Sequence, residues 1–287
     1  MGRAVMIPPD TVLADRYRIR SLHAAGGMAE IYAATDERLR RDVAVKLVRS
    51  VDGELARRLE RESVILARLD HPNIVRIFDA DVHEGMPFIV MEFVDGTALS
   101  RMLADGPFPP ERVAEIGTDL AAALTHAHAQ GITHRDIKPS NVLVEGSGRA
   151  RLADFGIARA TDGTSVTATG VALGSAPYIA PEQLSDGRVT SAADIYSTGL
   201  VLLEAHTGEA PFTGSEAEAA LARLHRDPDV PADLDAAWAS LLSDMTRRDP
   251  SERPTAEDVQ RRLEGIAEGV VVADSDEATA PIAAVGV

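Results

Sequence analysis

Between residues 17 and 93 the apolar positions come in short runs that suit strands rather than helices. Residues 17–22, 30–34, 42–48, 74–79 and 87–93 are each β-compatible and bounded by turn residues. One segment breaks this rhythm. Over residues 54–69, Leu55, Leu59, Glu62, Ile65, Leu66 and Leu69 recur at helical spacing, and His71-Pro72-Asn73 follows as a stop. After residue 96 the period lengthens throughout. Residues 111–130 put Val113, Ile116, Leu120 and Leu124 on one helical face with Gly131 beyond the last turn, and 193–206 and 236–247 read the same way. The pattern predicts an α+β chain with a strand-rich part with one helix (15–95), a larger helical part (96–268), and Asp95-Gly96 as the hinge between them. Residues 269–287 are rich in Ala, Val and Asp without periodicity and read as a tail or linker stub. No internal repeat is visible.

Composition narrows the classes. The chain has 287 residues, 45% of them hydrophobic, enough for one large or two smaller cores. The formal charge of −16 argues against a nucleic-acid partner, which needs a basic face. Residues 1–95 are nearly balanced, with 14 basic and 16 acidic side chains, against 15 and 29 in the remainder. That acidity reads first as solubility and second as a preference for basic partners. With no cysteine, disulfides and thiolate metal sites are excluded. The start lacks a signal-peptide core, and no apolar run approaches the roughly 20 residues of a membrane helix. The expectation is a cytoplasmic chain with no membrane segment, which could still be the catalytic part of a membrane receptor.

The candidate chemistry begins with a bias. Of the 29 basic residues only Lys46 and Lys138 are lysine. Arginine can replace lysine where charge and a long stem suffice, but not where a compact ammonium must reach one phosphate oxygen. Lys46 ends Val43-Ala44-Val45-Lys46 on an apolar strand and can bridge the α- and β-phosphates of ATP. Glu62, on the next helix, is placed to hold that ammonium. Lys138 lies in His134-Arg135-Asp136-Ile137-Lys138-Pro139-Ser140-Asn141. There Asp136 would accept the proton of an acceptor hydroxyl, Lys138 would offset charge on the moving phosphoryl, and Asn141 would ligate Mg²⁺. Asp154-Phe155-Gly156 supplies a second hard-oxygen ligand, and Ala180-Pro181-Glu182 follows.

With these motifs in this order, residues 15–265 resemble a Hanks-type (eukaryotic-like) serine/threonine protein kinase of the bacterial kind. The resemblance implies a two-lobed fold, with a small antiparallel-sheet lobe carrying one helix and a larger helical lobe, and MgATP in the cleft, with Mn²⁺ able to substitute. It implies that residues 23–31 cover the phosphates, with His23, Gly26, Gly27 and Ile31 as nucleotide contacts. Met91 would be the gatekeeper, the backbone of Glu92 and Val94 would bond adenine, and Ala44 and Leu143 would sandwich its ring. Asp194 would tie down the catalytic loop, and Arg253 would pair with Glu182. The phosphate loop departs from the family pattern: alanines stand at 24 and 29 where glycines are usual, so nucleotide binding is expected to be weaker or more mobile. That departure is the opening for a second reading, a weakly active pseudokinase scaffold. A small-molecule phosphotransferase would share Asp136, Asn141 and Asp154 but need not have residues 174–182, a peptide platform in the family.

Between Asp154 and Glu182 lie six serine or threonine hydroxyls. Related kinases use the arginine before the catalytic aspartate, here Arg135, to bind a phosphate on this segment. The resemblance implies autophosphorylation at Thr167 and Thr169, with Ser175 contacting Asp136 and Lys138. Lys138 two residues after Asp136 resembles the serine/threonine rather than the tyrosine class. Expected partners are proteins with Ser or Thr acceptors, and a homodimer for trans-autophosphorylation. His126, His128 and Trp238 read as packing or surface residues.

Overall fold

The computed structural model describes residues 7–25, 29–48, 53–155, 176–185 and 188–269. Gly26, Gly27, Thr167, Thr169 and Ser175 lie outside them.

The first lobe is an antiparallel sheet of β1 (Val12–Leu13), β2 (Tyr17–Ala25), β3 (Ala29–Asp36), β4 (Arg41–Val48), β5 (Ile77–His83) and β6 (Met86–Glu92), in the order β1-β2-β3-β4-β6-β5. Strand alternation sorts its two faces. On β4, Val43, Val45 and Leu47 enter a core with Tyr17, Ile19, Tyr32, Phe88 and Val90. At roughly 1.5–3 kcal/mol for each large side chain buried, that core fixes the register. Ala44 and Lys46 are left on the opposite face, opposite Met91 and Ile89 of β6. The expected strand at 74–79 is displaced, because Ile74 and Val75 turn to the second lobe. Val75 N donates to Leu152 O at 2.9 Å, and the β5 pairing starts only at Ile77.

Helix α1 (Gly53–Leu66) lies against β5 and β6. Its buried stripe is Leu59, Ser63 and Leu66, while Ile65 is 49% exposed. The expectation that Ile65 shares the inner face is therefore corrected. Six residues past Leu59, at about 100° each, put it well around the helix, whereas steps of four and seven return to the same side.

The second lobe opens with β7 (Gly96–Ala98) and α2 (Leu99–Leu103), followed by α3 (Pro110–Ala129). Proline stands in the first turn of α3 and Gly131, at φ +73°, lies beyond its end. β8 (Val142–Glu145) and β9 (Ala150–Leu152) join β7 in a three-stranded sheet. The rest is helical: α4 (Pro181–Leu184), α5 (Ala192–Thr207), α6 (Glu216–His225), α7 (Ala236–Met245) and α8 (Ala256–Ala267). Ser215 with Glu218 and Thr255 with Asp258 form capping boxes at the starts of α6 and α8. α5 is buried almost all round, so the catalytic segments have a rigid post to attach to.

Candidate active site

The cleft between the lobes has an apolar half. Ala44, Val75, Met91, Val94 and Ala153 form one buried cluster, with Ile31, Phe93 and Leu143 packed against it. Five side chains chosen from sequence (Ile31, Ala44, Met91, Val94, Leu143) thus meet in a single apolar cluster. Glu92 ends β6 at its edge, and the His23 ring meets Phe93 edge-on at 5.8 Å. The alanines of the phosphate loop are accommodated without strain. Ala24 pairs with Ile31 across β2–β3 and Ala29 with Val48 across β3–β4, and neither has positive φ.

The polar half is built on a backbone that most side chains avoid. Arg135 (φ +65°) and Asp154 (φ +59°) are left-handed, which for a non-glycine residue is uncommon and needs support. Asp194, 1% exposed in the first turn of α5, provides it. Its carboxylate accepts the backbone N–H of His134 at 2.8 Å and of Arg135 at 2.7 Å. Gln183 Nε2 donates to the Arg135 carbonyl at 3.1 Å. His134 is fully buried, and burial pushes its pKa down. Its Nδ1 accepts from Asp136 N at 3.2 Å, which leaves Nε2 to donate to Ala153 O at 2.9 Å. A neutral imidazole therefore joins the segment of Asp136 to the segment of Asp154.

The charged groups converge on that support. Lys138 Nζ donates to Asp136 Oδ2 at 3.0 Å, and Asn141 Nδ2 to Asp136 O at 2.8 Å and Oδ2 at 3.2 Å. With its amide nitrogen so used, Asn141 has its oxygen to offer a cation. Lys46 Nζ pairs with Asp154 Oδ1 at 2.8 Å. The expected Lys46–Glu62 pair is not among the ion pairs of the described residues: Glu62 is half-buried on α1, while the left-handed turn at Asp154 presents its carboxylate to Lys46. Among the described residues no three His, Cys, Asp or Glu side chains could hold a metal alone. One carboxylate and one amide oxygen, completed by substrate phosphates, suit a small hard cation such as Mg²⁺.

Farther out, Glu182 and Arg253 come together as a bidentate pair, at 2.7 and 2.9 Å, with the Arg253 side chain fully buried. Sequence reasoning missed His128. Its Nε2 lies 2.9 Å from Asp194 Oδ2, so it buttresses the residue that holds the catalytic loop. The signal was its place four residues beyond Leu124, a polar side chain on the inward face of α3. Arg151, Gln183 and the hydrogen bond from Tyr178 to Glu204 (2.6 Å) were also missed.

A strand-rich lobe hinged to a helical lobe, with an apolar cluster beside an Asp-Lys-Asn-Asp group, is an arrangement suited to phosphoryl transfer from a nucleotide. The protein kinase domain family matches residues 19–262, and the chain belongs to that family. It is 42% identical over 252 residues to serine/threonine-protein kinase PknB of Mycobacterium leprae, covering 80% of this chain and 40% of that protein. Against serine/threonine-protein kinase PrkC of Bacillus subtilis the identity is 39% over 262 residues, with 86% and 40% covered. The chain spans about two-fifths of the length of these curated relatives. Among solved structures, a point mutant of the Mycobacterium tuberculosis PknI kinase domain superposes with a TM-score of 0.73 at 27% identity, over 92% of this chain and all of that one.

Proposed function

We propose that this chain transfers the γ-phosphoryl group of MgATP to serine and threonine hydroxyls of proteins, including its own Thr167 and Thr169. The observation that carries the reading is the cluster in which Asp136, Lys138 and Asn141 bond one another beside the Lys46–Asp154 pair. Adenine enters the apolar slot and bonds the backbone of Glu92 and Val94. Lys46 holds the α- and β-phosphates, and His23, Gly26 and Gly27 lie along the loop that covers them. Asn141 and Asp154 would hold Mg²⁺, or Mn²⁺ in its place, and the cation would supply positive charge against the phosphates. Asp136 orients the acceptor hydroxyl and takes its proton as the oxygen–phosphorus bond forms and the bond to the β-phosphate oxygen breaks. Lys138 stays beside the moving phosphoryl, where its charge counts most. Glu62 engages Lys46 in the closed, working state. A phosphate on Thr167 or Thr169 is drawn to Arg135 and orders the segment that carries it. Two copies meeting face to face supply that phosphate in trans. The working place is the cytoplasm.

The pseudokinase reading is not favoured, because Lys46, Asp136 and Asp154 are all present and the alanines of the phosphate loop are unstrained. The test is incubation with MgATP followed by intact mass and phosphopeptide mapping, beside Asp136→Asn. The expected result is phosphate on serine and threonine in the wild type alone. A wild type that labels neither itself nor a generic basic protein, or labels only tyrosine, overturns the proposal. Equal labelling of both proteins would trace the activity to a contaminant.

A further inference from the structure

Outside the catalytic cluster, one arginine joins three pieces of chain that no common sheet connects. Arg151, on β9 of the helical lobe, is 9% exposed. Its Nη1 and Nη2 donate to the two carboxylate oxygens of Glu92 at 2.7 and 2.6 Å, a bidentate fork onto the last residue of β6. Nη1 also reaches Glu145 of β8 at 3.3 Å. Nη2 donates to the backbone carbonyl of Ile74, just before β5, at 2.9 Å. Glu92 belongs to the six-stranded sheet and Arg151 to the three-stranded one. The backbone ties between them pass through residues 73–76: Leu152 N to Asn73 O at 2.8 Å, Val75 N to Leu152 O at 2.9 Å and Glu92 N to Arg76 O at 2.9 Å. The guanidinium spans the same gap directly, within a mostly buried environment where salt screens it little.

The position matters for the nucleotide. The chain crosses between the lobes just after Glu92, and the slot's floor, Leu143 and Ala153, belongs to the lobe that carries Arg151. Where the end of β6 sits over that floor sets the depth of the slot and the aim of the backbone groups at its edge.

We propose that Arg151 is a positioning residue for the nucleotide: its fork onto Glu92 latches the hinge end of β6 to the floor of the cleft and restrains lobe opening. The inference deepens the kinase reading and rests on it. A lysine could not replace the arginine here, because a single ammonium cannot present two parallel donors to Glu92 and others to Glu145 and the Ile74 carbonyl.

The test uses Arg151→Met, Arg151→Lys, Glu92→Gln and the double variant Glu92→Gln with Arg151→Met. It compares KM for ATP, kcat at saturating ATP, and dissociation of a fluorescent ADP analogue from the whole chain in Mg²⁺. A loosened latch should raise KM for ATP and speed ADP-analogue release by about 10-fold, with kcat unchanged or higher. Arg151→Lys should recover only part of the loss. The double variant should be no worse than Arg151→Met, because one interaction can be lost once. Unchanged KM and release rate in Arg151→Met, or full rescue by lysine, overturns the latch. So does an additive double variant. If Arg151→Met fails to fold, Arg151→Lys keeps the charge without the fork and must still show the KM and release changes, or the latch fails. A wild type that binds the analogue but transfers no phosphate overturns the kinase reading instead, since binding and release are read without turnover.

Discussion

At the scale of single residues, the site works through groups whose surroundings leave them one role. Asp194 accepts two backbone N–H groups and faces His128, so its side chain governs the backbone of His134 and Arg135, just before Asp136. Replacing Asp194 by Ala should leave two buried donors unmatched, at about 1–3 kcal/mol each. Phosphate transfer should then fall by more than the loss of folded protein accounts for, which thermal melts and kinetics on the same sample can separate. Lys138→Ala should lower kcat by about 100- to 1,000-fold with little change in KM for ATP, because its charge is needed where the phosphoryl moves. A large KM effect at constant kcat would place Lys138 in ground-state binding. His206 makes a pH prediction. Burial against Trp238, whose ring lies 4.2 Å away edge-on, pushes its pKa down to about 4 from 6.5. The fold thus favours the neutral ring. That contribution is complete above about pH 6.5 and is lost as pH falls toward 4. His206→Phe should flatten the fall in Tm between pH 7 and pH 5 relative to wild type, and parallel curves would refute it.

At the scale of elements, buried attachments hold the catalytic segments to the helical post. Arg253 carries the Glu182 pair and also donates to the carbonyls of Ala192, Arg247 and Arg248. Breaking one side of such a pair leaves an uncompensated buried charge, at about 3–5 kcal/mol. Arg253→Met should therefore lower Tm by about 10 °C in a domain of this size, and a drop under about 3 °C would contradict the geometry. Helix crossings are equally tight. A Cβ at Gly117 of α3 would meet Leu263 Cδ1 of α8 at 2.8 Å and Leu202 Cδ1 of α5 at 3.1 Å. Overpacking of this kind costs about 1–3 kcal/mol, so Gly117→Ala should destabilise without altering KM for ATP.

At the scale of the whole molecule, the proposed nucleotide site is shared by two lobes, so the nucleotide should stabilise both together. ATP at about 100 times its Kd adds about 2.7 kcal/mol to the folded state, a rise of about 5–10 °C in Tm with Mg²⁺ present. ATP with a chelator should give a much smaller rise, since Asn141 and Asp154 would then face the phosphates without the cation. Equal shifts would argue against these two residues as its ligands.

The chemistry was legible from sequence because phosphoryl transfer demands particular residue types in a fixed order. Lys46, Asp136, Lys138, Asn141 and Asp154 announce themselves by type and spacing. The strands around β4 were legible too, since alternation along Val43–Leu47 leaves only one face for Lys46. The failures have a common cause. Ile65 was assigned inward and turned outward, and Ile74 and Val75 read as strand but bond β9, because helical phase and strand partners depend on what arrives from elsewhere. Among the described residues Lys46 pairs with Asp154, across a left-handed turn that no propensity announces. His128 beneath Asp194 and the Arg151 fork, neither expected from sequence, span 66 and 59 residues, while the Glu182–Arg253 pair that the family resemblance implied spans 71. Which groups are proposed to do the chemistry can therefore be read along the chain, because each motif is local and its residue types suit phosphoryl transfer. Only the tertiary structure decided how those groups are held, because support comes from buried partners distant in the chain, whose pairing costs too much desolvation to form until the core has closed around them.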